Sequence, residues 1–86
     1  EPDLRDGAGA LLIARELNAK TGYRELAYLE TLAAAFAETG DFDAAVRTTE
    51  TAIGIAHQTG ESRAAESLID RLELYRRGRP VRVPDR

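Results

Sequence analysis

The chain has 86 residues, 43% of them hydrophobic and 31% charged, and carries a formal net charge of −3. This length accommodates one domain, and a domain so small buries only a little over ~60% of the surface its unfolded chain exposes. The balance of charge excludes a disordered acidic tail and a strongly basic nucleic-acid binder. No cysteine is present, which excludes a disulfide framework and a thiolate metal site and leaves the redox compartment open.

Glycine divides the chain into four stretches with helical spacing. Three glycines follow a threonine, at Thr21-Gly22, Thr39-Gly40 and Thr59-Gly60, and Gly78 follows Arg77 with Pro80 two residues on. A glycine just past a helix end adopts the left-handed conformation that a Cβ disfavours, so the pattern predicts helices over Asp6 to Thr21, Arg24 to Thr39, Asp43 to Thr59 and Ser62 to Arg77. Within them, apolar residues recur at the i, i+3, i+4, i+7 spacing of a helix face. Helix one gives Ala10, Ile13, Ala14 and Leu17, and helix two gives Leu29, Leu32, Ala33 and Phe36. Helix three gives Phe42, Ala45, Val46 and Thr49, then Ala52, Ile53 and Ala56; helix four gives Ala65, Leu68, Ile69, Leu72 and Tyr75. The short connections force consecutive helices to run antiparallel. The longest apolar run, Ala8 to Ala14, falls far below the ~20 residues that span a bilayer. The chain carries neither a transmembrane helix nor a signal peptide, and its start at Glu1-Pro2-Asp3 reads as a piece of a longer polypeptide, so the compartment is undetermined.

Helices two and three resemble the tetratricopeptide repeat. The likeness rests on Leu29, Leu32, Ala33 and Phe36 in the first helix, on the turn Gly40-Asp41-Phe42-Asp43, and on Ala45 and Ala52 seven apart in the second. Ala33 and Ala45 leave space for a crossing helix, Phe36 fills the hairpin interior, and Asp41 or Asp43 can cap helix three. The match runs from Leu26 to roughly Thr59. Residues 1–22 resemble the second helix of an incomplete repeat, with Ala10 and Leu17 where Ala45 and Ala52 stand. Residues 23–60 form the full hairpin, 61–78 a C-terminal capping helix with Ile69 in the place of Ala33, and 79–86 an extended tail. Leu29 stands where the family often has tryptophan, and Gly22 and Gly60 lie 38 residues apart where ~34 is usual. A HEAT-like pair with longer repeats and a closed four-helix bundle are the other architectures of this all-α class.

No catalytic constellation accompanies these helices. His57, the only histidine, stands in the last turn of helix three, where an exposed imidazole suits the helix terminus. Gly7-Ala8-Gly9 lacks the preceding strand and third glycine of a phosphate loop and reads as a helix start or a close helix contact. Asp41 and Asp43 lack the further ligands of a calcium loop and read as caps. Thr48, Thr49 and Thr51 read as side chains bonded to the preceding turn. Residues 75–86 hold five arginines against one aspartate, +4, whereas residues 1–74 hold seven basic and fourteen acidic groups, −7. Arg77-Gly78-Arg79-Pro80 resembles the core of an AT-hook, but Val81 replaces the basic residue that follows the proline there, and nucleic-acid binding is not expected.

The chain therefore reads as an interaction module without enzymatic activity, cofactor or metal. The resemblance implies a ligand face on helices two and four, comprising Ala27, Glu30, Ala34, Ala37, Glu66, Asp70 and Glu73. Lysine and asparagine, which clamp a terminal carboxylate in some repeats of the family, are absent from it. A basic or amphipathic protein or peptide is the expected partner, and acidic C-terminal peptides are not. Leu11, Leu12 and Ile13 widen the apolar face of helix one and are the candidate self-association surface of a homo-oligomer. The alternative is a structural or dimerising C-terminal accessory module of a larger enzyme or membrane protein.

Overall fold

The computed structural model describes residues 7–79, with side chains from Gly9 onward. The expected helix start at Asp6 and the tail from Pro80, with Val81 and Val83, lie outside the described residues. Four helices fill the described chain: α1 (Gly7–Lys20), α2 (Leu26–Glu38), α3 (Phe42–Gln58) and α4 (Ser62–Arg76). No strand occurs among the described residues, so the chain is all-α, and none of its helices is long and apolar enough to cross a membrane.

Each helix ends by the same device. Gly22, Gly40, Gly60 and Gly78 have φ of 68°, 87°, 74° and 72°. The next residue then donates its backbone N–H back across the last turn: Tyr23 to the Asn18 carbonyl at 2.8 Å, Asp41 to Phe36 at 2.9 Å, Glu61 to Ala56 at 2.8 Å and Arg79 to Leu74 at 3.0 Å. These bonds satisfy carbonyls that the helix leaves without partners. The threonine before three of the glycines adds its hydroxyl, as in Thr39 to the Phe36 carbonyl at 2.7 Å and Thr59 to Ile55 at 3.1 Å. Of the two candidate caps of α3, Asp41 does the capping, accepting from the Ala44 N–H at 3.1 Å.

The helices form an open layered stack. α1 packs on α2, α2 on α3 and α3 on α4, with no comparable packing of α1 on α3 or α4. A closed four-helix bundle would require those contacts. Two clusters make the core. Leu29, Ala52, Ala56, Ala65 and Leu68 form one, and Ala33, Ala37, Ala45 and Tyr75 form the other, with Phe36, Phe42 and Val46 packed against it. Alanine at these crossings lets successive axes approach, and Leu68 and Tyr75 of α4 join clusters that include residues of both α2 and α3.

Four expectations change, the first being that Ile69, expected on the apolar face of α4, is 43% exposed. Helix two starts at Leu26 instead of Arg24, because Tyr23 has φ 60° and Glu25 is extended at φ −88°, ψ 117°. The buried stripe of α1 is not Ala10, Ile13, Ala14 and Leu17: Ala10 and Ile13 are exposed and Leu17 is half-buried, while Ala14 and Asn18 are buried. Four consecutive apolar residues, Leu11 to Ala14, leave the phase of the helix ambiguous, and a polar residue fixes it. Asn18 is completely buried and its Nδ2 donates to the carbonyls of Ala14 at 2.8 Å and Tyr28 at 2.9 Å, tying α1 to α2. Finally, Phe36 is half-buried instead of filling the hairpin interior. The Arg15 guanidinium lies 5.5 Å from its ring centroid.

Candidate functional site

The outer face of α1 is the largest apolar exposure in the described structure. Leu12 is 65% exposed and Ile13 62%, with half-buried Leu11 beside them. The reason is local: α1 packs along α2 alone, so only the Ala14 and Asn18 side of the helix is covered. All three residues of the candidate self-association surface are thus present on one helix, with Leu12 and Ile13 exposed and Leu11 half-buried.

The expected ligand face on α2 and α4 is only partly formed. Ala27, Glu66, Asp70 and Glu73 are exposed, and Glu30 and Ala34 are half-buried. Ala37 does not belong to the face, because it is 2% exposed and buried in the core cluster with Ala33, Ala45 and Tyr75. Some of the acidic charge is already matched, with Arg71 at 4.0 Å from Glu30 and Arg77 at 3.9 Å from Glu73. Glu66 and Asp70 have no ion pair among the described residues. Exposed pairs of this kind contribute little to stability, yet they lower the field that a basic partner would meet.

On another side, α1, α2 and α3 enclose a groove of about 500 Å³ lined by Arg15, Tyr23, Leu29, Leu32, Phe36, Ala44, Arg47, Thr48 and Thr51. Its floor is apolar and nearly closed, since Leu29 and Leu32 are 2% and 4% exposed. Its rims carry Arg15 from α1 and Arg47 from α3. Tyr23, 45% exposed, projects from the α1–α2 connection in the left-handed conformation that bulky residues disfavour. The periodicity of the sequence does not reveal this groove, because a basic site assembled from three helices has no spacing of its own. The available signal was Thr48 and Thr51 beside Arg47, on the flank of α3 away from Ala45 and Ala52. Thr51 donates to the Arg47 carbonyl at 3.1 Å and buried Thr49 to Ala45 at 2.8 Å, so these two hydroxyls bond to the preceding turn, while Thr48 makes no such bond among the described residues.

The remaining candidates resolve locally. His57 is exposed at the end of α3, and Gly7 is the first described residue of α1, while around Gly9 a Cβ would meet nothing within 4 Å, so no close helix contact depends on it. Tyr75 is 1% exposed and its hydroxyl has no hydrogen-bond partner among the described residues, although Arg71 lies near it. Burial raises its pKa above the usual 10.0, Arg71 opposes the rise, and Glu30 and Glu38 add to it. Comparison with protein-family models, curated proteins and solved structures found no match to this chain.

Proposed function

We propose that the chain is a protein–protein interaction module of tetratricopeptide type, whose α1 face receives a helix from a partner subunit or a second copy. The observation that carries this reading is the exposure of Leu12 and Ile13 on a helix covered from one side only. Full burial of an aliphatic side chain of this size contributes about 1.5–3 kcal/mol, so covering both offers several kcal/mol toward association before the entropy of binding is subtracted. Stacked hairpins use such faces in the same way internally, each unit covering its neighbour. The repeat assignment rests on the sequence likeness of the residues quoted above.

Glu66 and Asp70 support the secondary expectation of a basic or amphipathic ligand on α4, through steering that salt would screen. The same apolar face also favours a second reading, a dimerising accessory module of a larger protein. Sedimentation velocity over a wide concentration range tests the main proposal: the chain should self-associate, and Leu12→Glu should return it to monomer. A monomer at every concentration would remove the second copy as occupant, and self-association unchanged by Leu12→Glu would remove the α1 face. Association that saturates at a dimer and leaves no apolar surface for a further ligand would favour the dimerising module.

A further inference from the structure

The groove between α1, α2 and α3 has a chemistry opposite to that of the expected ligand face. Arg71 and Arg76 of α4 and Arg77 just past its end stand within 4.0 Å of a glutamate, at 4.0, 3.1 and 3.9 Å, whereas exposed Arg63 has no ion pair among the described residues. Arg15 and Arg47, at the rims of the groove, have no ion pair among the described residues, although the chain holds fifteen acidic groups against twelve basic ones. Two cations, one on α1 and one on α3 across α2, thus face one trough without counter-charges among the described residues. Arg15 is oriented over the Phe36 ring, a contact that leaves the edges of the guanidinium free to donate to a planar carboxylate. Between the arginines lies a floor of Leu29, Leu32 and Phe36.

We propose that this groove docks an acidic segment of a partner protein, its carboxylates on Arg15 and Arg47 and one large apolar side chain on the Leu29, Leu32 and Phe36 floor. The proposal rests on the reading of the chain as an interaction module but uses a surface separate from the outer face of α1. The volume of about 500 Å³ lies within the ~300–1,000 Å³ range of ordinary ligand sites and takes an anchoring side chain with its flanking backbone. Tyr23 supplies an exposed aromatic wall at one end. Bidentate arginine–carboxylate bonds add direction to the apolar contact, which selects acidic segments with an apolar residue over purely apolar ones. An extended polyphosphate chain fits less well, because two arginines on a net-negative molecule offer no continuous basic track.

Random peptides of about a dozen residues, displayed as a library and selected on the 86-residue chain, test the proposal. The recovered sequences should combine Asp or Glu with Phe, Leu or Trp. As synthetic peptides they should bind more weakly at high salt, shift the amide resonances of Thr48 and Thr51, and lose at least about tenfold in affinity with each of Arg15→Glu and Arg47→Glu. Arg15→Gln, which keeps most of the side chain over Phe36, should also weaken binding, and circular dichroism checks that each variant is folded. No enrichment, enrichment of basic sequences, or binding unchanged by the arginine variants would overturn the proposal. So would displacement of the peptides by a single-stranded DNA oligonucleotide, or loss of self-association in the arginine variants, which would make a polyanion or a second copy the occupant. Self-association that responds to Leu12→Glu while no peptide binds would leave the interaction module standing and remove the groove alone.

Discussion

Ala45→Leu tests the central crossing of the stack. Ala45 is 0% exposed and packs with Ala33, Ala37 and Tyr75, with Phe36, Phe42 and Val46 around them. A leucine adds three carbon atoms where the α2 and α3 backbones and the α4 ring already meet, so it must push α3 away or leave its preferred rotamer. Overpacking of this kind costs about 1–3 kcal/mol. In a domain of this size each kcal/mol lowers Tm by ~4–8 °C, so the midpoint of that range corresponds to a fall of roughly 8–16 °C. Ala27→Leu is the matched control, because Ala27 lies exposed on α2 and a surface change is worth within about 0.5 kcal/mol. Thermal melts followed by circular dichroism report both. An Ala45→Leu protein that melts with its parent, or an Ala27→Leu protein that loses as much, would refute the register of the α2–α3 hairpin.

Two further substitutions probe the polar atoms buried in the stack. Tyr75→Phe removes a buried hydroxyl without a partner, so stability at neutral pH should be unchanged or higher by up to about 1 kcal/mol. Because burial raises the pKa of Tyr75 above 10.0, the unfolded phenol ionises first; the neutral phenol's contribution is intact below about pH 10 and is lost as pH rises toward the folded pKa. Denaturant titrations from neutral to alkaline pH should show this loss in the parent and a smaller one in Tyr75→Phe, and equal slopes would contradict it. Asn18→Ala removes the one side-chain hydrogen bond from α1 to α2, to the Tyr28 carbonyl, and a second one within α1, to Ala14; although the Asn18 Oδ1 has no partner among the described residues, the loss should cost about 1–3 kcal/mol, with hydrogen exchange accelerated in α1 first. Uniform acceleration through all four helices would show that α1 does not open separately.

The stack was legible in the sequence where its signals were local. Glycine at 22, 40, 60 and 78 needs only its own φ and the last turn of the helix before it, and all four sit just beyond a helix end. The stripes of α2, α3 and α4 were legible in their centres, since Leu29, Leu32, Ala33, Ala45, Thr49, Ala52, Ala56, Ala65, Leu68, Leu72 and Tyr75 are buried as spaced, whereas Phe36, Phe42, Val46 and Ile53 are half-buried and Ile69 is exposed. α1 was not, because Leu11 to Ala14 offers apolar side chains in every direction. Its orientation is set instead by the amide of Asn18, whose second carbonyl acceptor, Tyr28, belongs to another helix. The surfaces follow the same rule. Leu12 and Ile13 stand out as an excess on one helix, whereas the groove joins Arg15 to Arg47 across α2, a proximity that no spacing along the chain encodes.

The two ends of the stack are chemically unequal, and this gives association a direction. At the α4 end, the outward residues include Arg63, Glu66, Asp70, Glu73 and Arg77, all exposed. A helix docking there must strip water from several charges, and an interfacial ion pair regains that cost only with good geometry. At the α1 end, Leu12 and Ile13 offer apolar area with no desolvation penalty of that kind. Their exposure also accounts for the weight that falls on Asn18. A helix with its largest aliphatic side chains facing outward retains little apolar burial to hold it on α2. Its hold therefore depends on buried Ala14, on half-buried Leu11 and Leu17, and on the one hydrogen bond that the Asn18 amide gives to the Tyr28 carbonyl. A partner that covers Leu12 and Ile13 would add the missing burial on the opposite side. Binding at this face and ordering of α1 are thus coupled, so anything that loosens α1, Asn18→Ala included, should weaken association at a surface it does not touch.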